Sequence, residues 1–137
     1  MKSLFLLVAL LFAVALSSSS AVVSKASNPA KKQKAVAQFN DPVRLQGVRL
    51  KGEYLFVHDD AAMTRGEACT FVYKGDAEIA SQLVVSFHCT PVQRQKVGGF
   101  VIRTEQLSPD VNEVREFQFG GETEAHAVPM KYLAFVF

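Results

Sequence analysis

Residues 68–89, ACTFVYKGDAEIASQLVVSFHC, hold two short apolar segments separated by a Gly-Asp pair and a polar stretch. Each segment, 68–74 and 82–89, is about as long as an average strand and is rich in β-branched and aromatic residues, which favour strands. Gly and Asp between such segments are typical turn residues. This stretch therefore predicts an antiparallel β-hairpin.

One register of this hairpin satisfies both its cysteines and its apolar face. The pairs that then share a face are Cys69 with Cys89, Phe71 with Phe87, and Tyr73 with Val85. In an exported chain, two cysteines most simply form one disulfide, so we expect a Cys69–Cys89 bond that stabilises the fold by about 3 kcal/mol. The alternative is a pair of free, buried thiols.

Strand-like segments continue on both sides of the hairpin. Residues 59–66 interrupt them with one helical turn, for which an Asp is the expected N-cap and Gly66 the left-handed stop. Together the segments predict an all-β fold, a small and mostly antiparallel barrel or sandwich of about six to seven short strands. The further strands are predicted at residues 43–50 with a bulge at Gly47, 53–58, 100–105, 114–119 and 132–137.

The N-terminal segment indicates export. Residues 1–26 have a basic start, a 13-residue apolar run and a border of small residues, the layout of a cleaved signal peptide. Cleavage is expected after Ala21 or Ala26, which makes the protein secreted or periplasmic. Residues 27–42 are interpreted as a flexible polar leader, and residues 43–137 as a single β domain.

The charge balance excludes partners that bind through a strongly charged surface. Of the 15 basic residues, removal of Lys2 and Lys25 leaves 13, against 13 acidic residues. A domain near neutrality has no electrostatic footprint for nucleic acid, and we expect no membrane association after signal removal. The partner is predicted to be a small ligand or a protein, of unknown identity.

All three histidines are predicted to lie at one end of the domain. In an up-and-down meander, the ends of the second, fourth and sixth predicted strands share one rim, which would bring together His58, His88 and His126 with both cysteines. Because His88 and Cys89 are adjacent, they point to opposite faces, so only one of them joins a cluster readily. Carboxylates in the same loops are Asp59 and Glu124, as possible metal partners, and Asp60, Glu67 and Glu122, as a ligand rim.

Imidazole and carboxylate groups in such a rim are ligands for a divalent transition metal. The spacings contain no HxH, HExxH or CxxC, which favours histidines in structural roles over metal ligands. No nucleophile elbow or phosphate-binding glycine loop is present, and no catalytic residue is assigned. The sequence therefore predicts an exported binding or interaction module rather than an enzyme, with a metal-binding protein or metal-dependent enzyme as the alternative.

Overall fold

The structure of the protein is a computed structural model that describes residues 31–131. Within this range the fold is all-β, as predicted: eight strands form one curled, mixed sheet that closes about halfway to a barrel. The strands are β1 (Lys32–Leu45), β2 (Val48–Asp59), β3 (Thr70–Lys74), β4 (Leu83–Phe87), β5 (Thr90–Gln93), β6 (Val101–Ser108), β7 (Val111–Gln118) and β8 (Glu124–Ala127). A five-residue helix, α1 (Asp60–Thr64), follows β2, and a 3₁₀ turn (Ala80–Gln82) precedes β4.

Two of the sequence predictions fall outside the described residues. These are the signal segment, 1–26, and the last predicted strand, 132–137. Neither helical segment within residues 31–131 is long or apolar enough to cross a membrane.

The predicted bulge at Gly47 is wrong, because this glycine lies in a hairpin turn. Gln46 and Gly47 both have positive φ angles, 51° and 78°, and Leu45 pairs directly with Val48. Two such residues between antiparallel strands match a type I′ turn, whose twist suits the strands on either side. The register irregularity of β1 lies instead between Phe39 and Val43.

The predicted flexible leader is also wrong from Lys32 onward. Residues 32–42 belong to β1, which pairs with β2 as far as Lys32 opposite Asp59. Ala37 and Phe39 are buried against the core, while Lys34, Val36 and Gln38 point outward. Inward and outward side chains alternate along this segment, as in any strand. Because alanine contributes little apolar area, a stretch of lysine, glutamine and alanine resembles a polar linker in sequence.

The sheet order departs from the predicted simple meander after β4. The order is β4-β3-β2-β1-β7-β8-β5, with β6 paired to β7. Strands β1–β4 and strands β6–β8 therefore each follow the chain, whereas β5 pairs with β8 and β1 with β7. β1 and β7 run parallel and share just two residue pairs, Val43 with Asn112 and Arg44 with Glu113. This short parallel contact joins the two halves of the sheet.

The β3–β4 hairpin is present, but its predicted register is wrong by one residue. Thr70 pairs with Phe87 and Val72 with Val85, so Val72 and Phe87, rather than Phe71 and Tyr73, face the main core. On the reverse face, Tyr73 packs with Leu55 and Val57 and is in contact with Phe71. Since both faces of β2 and β3 are apolar, alternation alone does not determine the register.

Candidate metal centre

Two buried histidines face each other across the inside of the curled sheet. His58 is the last core-facing residue of β2, and His126 lies in β8, three strands away in the sheet order. Because the sheet curls, their ring centroids are only 4.0 Å apart, and their exposed fractions are 0% and 2%. The predicted closeness of these two histidines agrees with the structure, but the predicted meander does not produce it, and they lie inside the core rather than on an open rim.

Both cysteines lie beside this pair, just outside the ends of β3 and β4. The backbone of Cys69 is held on two sides, since its carbonyl accepts from the Asp59 amide at 2.8 Å and its amide donates to the Phe87 carbonyl at 3.2 Å. Cys89 precedes β5, and its amide donates to the Cys69 sulfur at 3.2 Å. These backbone contacts fix the two thiols side by side in the interior.

The predicted Cys69–Cys89 disulfide is not formed. The sulfur atoms lie 2.8 Å apart as an S–H···S contact between two free, buried thiols. The prediction paired these residues directly, but β3 and β4 pair one residue out of that register and end at Thr70 and Phe87. The cysteines thus come together through the loops beyond the hairpin and not as a cross-strand pair.

Three of these side chains meet the spacing of a metal site. His58, Cys69 and Cys89 each offer one ligand atom, and these atoms all lie within 4.8 Å of one another. His126 is next to them, with its Nδ1 atom 3.6 Å from the Cys89 sulfur. We call these four residues the His/Cys cluster. The sequence predicted that all four lie at one end of the domain, but it assigned the metal to His58, His126 and His88 and the two cysteines to a disulfide. His88 points outward and is exposed.

His58 carries buried polar atoms that the described residues leave without a hydrogen bond. Neither ring nitrogen has a hydrogen-bond partner in residues 31–131; Nδ1 lies 3.2 Å from Oδ1 of Asp60, but not in hydrogen-bonding alignment. Burial lowers the pKa of His58, and the nearby Asp60 and Asp59 carboxylates oppose that shift only in part. A neutral imidazole with free nitrogens inside a core is unusual, because buried polar groups almost always have partners.

Two other members of the cluster, His126 and Cys89, are also held in their uncharged forms. Burial, with a smaller contribution from nearby His58, lowers the pKa of His126 to about 4. Burial and the adjacent Cys69 thiol raise the pKa of Cys89 to about 12. At neutral pH the metal-free cluster therefore contains two neutral imidazoles and a protonated Cys89 thiol, and a cation that binds Cys89 would displace its proton.

Aromatic side chains enclose the cluster on the core side. The ring of Phe117 stacks on His126 with centroids 5.1 Å apart, and Phe119 meets the same histidine edge-on at 6.0 Å. Phe56 contacts Phe117 at 5.6 Å and continues the wall beneath β2. These rings belong to the hydrophobic core of the sheet. They exclude water from the cluster and so keep the dielectric around it low.

The carboxylates assigned to the rim take different roles. An aspartate caps α1, as predicted: Asp59 accepts from the amides of Ala61 and Ala62. Glu67 is exposed and pairs with Arg65. Asp60 lies beside His58. Glu122 instead accepts hydrogen bonds from Lys31 and Gln33, and Glu124 lies in β8 opposite Gln93. Only Asp60 reaches a member of the His/Cys cluster, so the predicted metal partners Asp59 and Glu124 and the ligand-rim residues Glu67 and Glu122 are not brought to it.

Comparison with known proteins adds no functional assignment. No protein-family model matches the chain, and no curated protein or solved structure is significantly similar to it.

A cavity of about 110 Å³ lies elsewhere, where β1 meets β7. Its walls include Arg44 and Arg49, which are directly opposite each other in the β1–β2 hairpin, together with Asp110 and Asn112. None of its lining residues belongs to the His/Cys cluster, so the cavity is not an entrance to the candidate metal centre.

Proposed function

We propose that this protein is a metal-binding protein whose His/Cys cluster holds one divalent transition metal ion, with Zn²⁺ the best fit. The observation that carries the proposal is the convergence of His58, Cys69 and Cys89, three fully or almost fully buried ligands, within 4.8 Å. Thiolate and imidazole are the ligands that zinc prefers.

Charge balance supports a divalent ion over a monovalent one. Binding would convert Cys69 and Cys89 to thiolates, and two thiolates with neutral imidazoles offset a charge of +2. A monovalent ion such as Cu⁺ would leave one net negative charge in the core, where an uncompensated charge is costly. The depth of the cluster thus favours Zn²⁺.

The geometry requires a modest adjustment on loading. With Zn–S bonds of about 2.3 Å and tetrahedral angles, two thiolates lie about 3.8 Å apart. The sulfurs are 2.8 Å apart here, so they would separate by about 1 Å. His126, at 3.6 Å from the Cys89 sulfur, is the nearest candidate for the fourth ligand. A site closed by four protein ligands stabilises a fold and leaves no position for substrate, which favours a structural or sequestering role over catalysis.

Zinc titration of the reduced, chelator-treated protein tests this proposal. We expect one equivalent of Zn²⁺ to bind with release of about two protons, because both thiols must ionise. A Cys69→Ser, Cys89→Ser double variant should lose this binding, and His58→Ala should weaken it strongly. His88→Ala is the matched control, since His88 adjoins Cys89 but is exposed, and its affinity should equal that of the wild type. Wild-type binding no tighter than that of the double cysteine variant would contradict the proposal.

The proposed location is outside the cytosol, on the basis of residues 1–26. Protein recovered from the native host should begin at Val22 or Ser27, since small residues precede both positions. N-terminal sequencing or intact mass measures this directly. Exported protein that retains Met1 would refute the cleavage, without bearing on the metal site.

A further inference from the structure

Asp60 is the one carboxylate among residues 31–131 that reaches the His/Cys cluster, and its position is fixed by the backbone. Its amide donates to the Lys31 carbonyl at 3.0 Å, and its carbonyl accepts from the Thr64 hydroxyl at 2.9 Å within α1. Its side chain also accepts from the Lys31 amide at 3.3 Å. The carboxylate is therefore held at the N-terminal end of α1. Only the cap residue Asp59 separates Asp60 from His58 in the chain.

This placement distinguishes the two nitrogens of the His58 ring. Oδ1 of Asp60 lies 3.2 Å from Nδ1, within the distance range of a hydrogen bond, although the two groups are not aligned for one. A proton held on Nδ1 leaves the lone pair on Nε2, the form in which neutral histidine binds a metal. Metal-bound histidines commonly donate their second N–H to a carboxylate, which fixes the ring and increases its basicity.

We infer that Asp60 is a positioning residue for the metal centre: it holds His58 as the Nδ1–H tautomer, so that Nε2 is the metal ligand. This inference rests on the proposed function, since it assigns a role within the same site. Asp60 does not touch the metal; it acts through His58. It also gives the otherwise closed cluster a link to the surface, because the Asp60 side chain is 36% exposed whereas that of His58 is fully buried.

The test compares Asp60→Asn with Asp59→Asn. Both variants remove one negative charge from adjacent positions, and asparagine remains a good N-cap at residue 59. An asparagine at residue 60 can instead donate its amide N–H to Nδ1, which stabilises the wrong tautomer. We expect Asp60→Asn to weaken zinc binding by about 10–100-fold, as is typical for loss of a carboxylate behind a histidine ligand. Asp59→Asn should keep wild-type affinity.

A second measurement is independent of metal affinity. In the reduced, metal-free protein, ¹⁵N chemical shifts of the His58 ring report its tautomer, and we expect Nδ1–H in the wild type and in Asp59→Asn. Asp60→Asn should shift the ring toward Nε2–H. Equal zinc affinities for the two variants, or an Nε2–H tautomer in the wild type, would overturn the inference. If the wild type binds no zinc, the proposed function fails, whereas the tautomer still decides whether Asp60 controls the ring.

Discussion

Replacement of Phe117 by alanine is expected to remove about 3–5 kcal/mol from the free energy of unfolding, the usual cost of emptying a large aromatic site. Phe117 is fully buried and its ring contacts those of Phe56, Phe100, Phe119 and His126. A domain of this size is stable by only about 5–15 kcal/mol, so the loss is a large share of the total. Urea denaturation, followed by fluorescence or circular dichroism, measures the change.

Leu107→Ala provides the control for Phe117→Ala. Leu107 is also a large apolar residue, but 49% of it is exposed, and surface substitutions usually change stability by less than about 0.5 kcal/mol. If the two variants unfold at the same urea concentration, Phe117 is not the centre of the core and the wall around the His/Cys cluster is not packed as described.

The metal-free protein is expected to lose stability as the pH falls from about 6.5 to about 4. Burial holds the pKa of folded His126 at about 4, whereas an unfolded histidine titrates near 6.5. The unfolded chain therefore binds the proton first, so the contribution of the neutral ring is complete above about pH 6.5 and is lost on acidification. At 1.36 kcal/mol per unit, the loss from His126 is about 3 kcal/mol. The lowered pKa of His58 acts in the same direction.

His126→Phe tests the assignment of this pH dependence. Phenylalanine fits among the neighbouring aromatic rings and does not titrate, so the variant should show a flatter stability profile between about pH 6.5 and pH 4. His88→Ala, which removes an exposed histidine, should keep the steep profile of the wild type. Urea midpoints measured across this range in the presence of a chelator give the comparison, and parallel profiles for the wild type and His126→Phe would count against the assignment.

Local signals in the sequence predicted local structure correctly. The Asp59 cap and the left-handed Gly66 follow from the side-chain and backbone chemistry of a few adjacent residues. The closeness of His58, Cys69 and Cys89 was also predictable, because strand ends collect side chains at one end of a sheet. His126 reaches them through β8, a strand that the predicted meander lacked. The position of the cysteines beyond the paired residues of the hairpin depends on the register between β3 and β4, which the sequence did not determine.

Other features depend on contacts between distant residues. The two apolar faces of β3 left its register open, and the parallel β1–β7 contact has no marker in either strand. β5 was missed because Pro91 argues against a strand interior, yet β5 lies at the sheet edge, where proline is tolerated. The register of β3, the pairing of β1 with β7 and the position of β5 all depend on residues far apart in the chain, so a short window of sequence does not determine them.

The short parallel contact between β1 and β7 has a consequence for the order of folding. The first four strands form by successive hairpins, whereas the pairing of Val43 with Asn112 closes a loop of about 70 residues, whose entropy must be lost before any contact compensates for it. We expect this closure to limit the folding rate. His58 and Cys69 belong to the part that forms early, and His126 arrives only with closure, so a complete ligand set exists only after the slowest step.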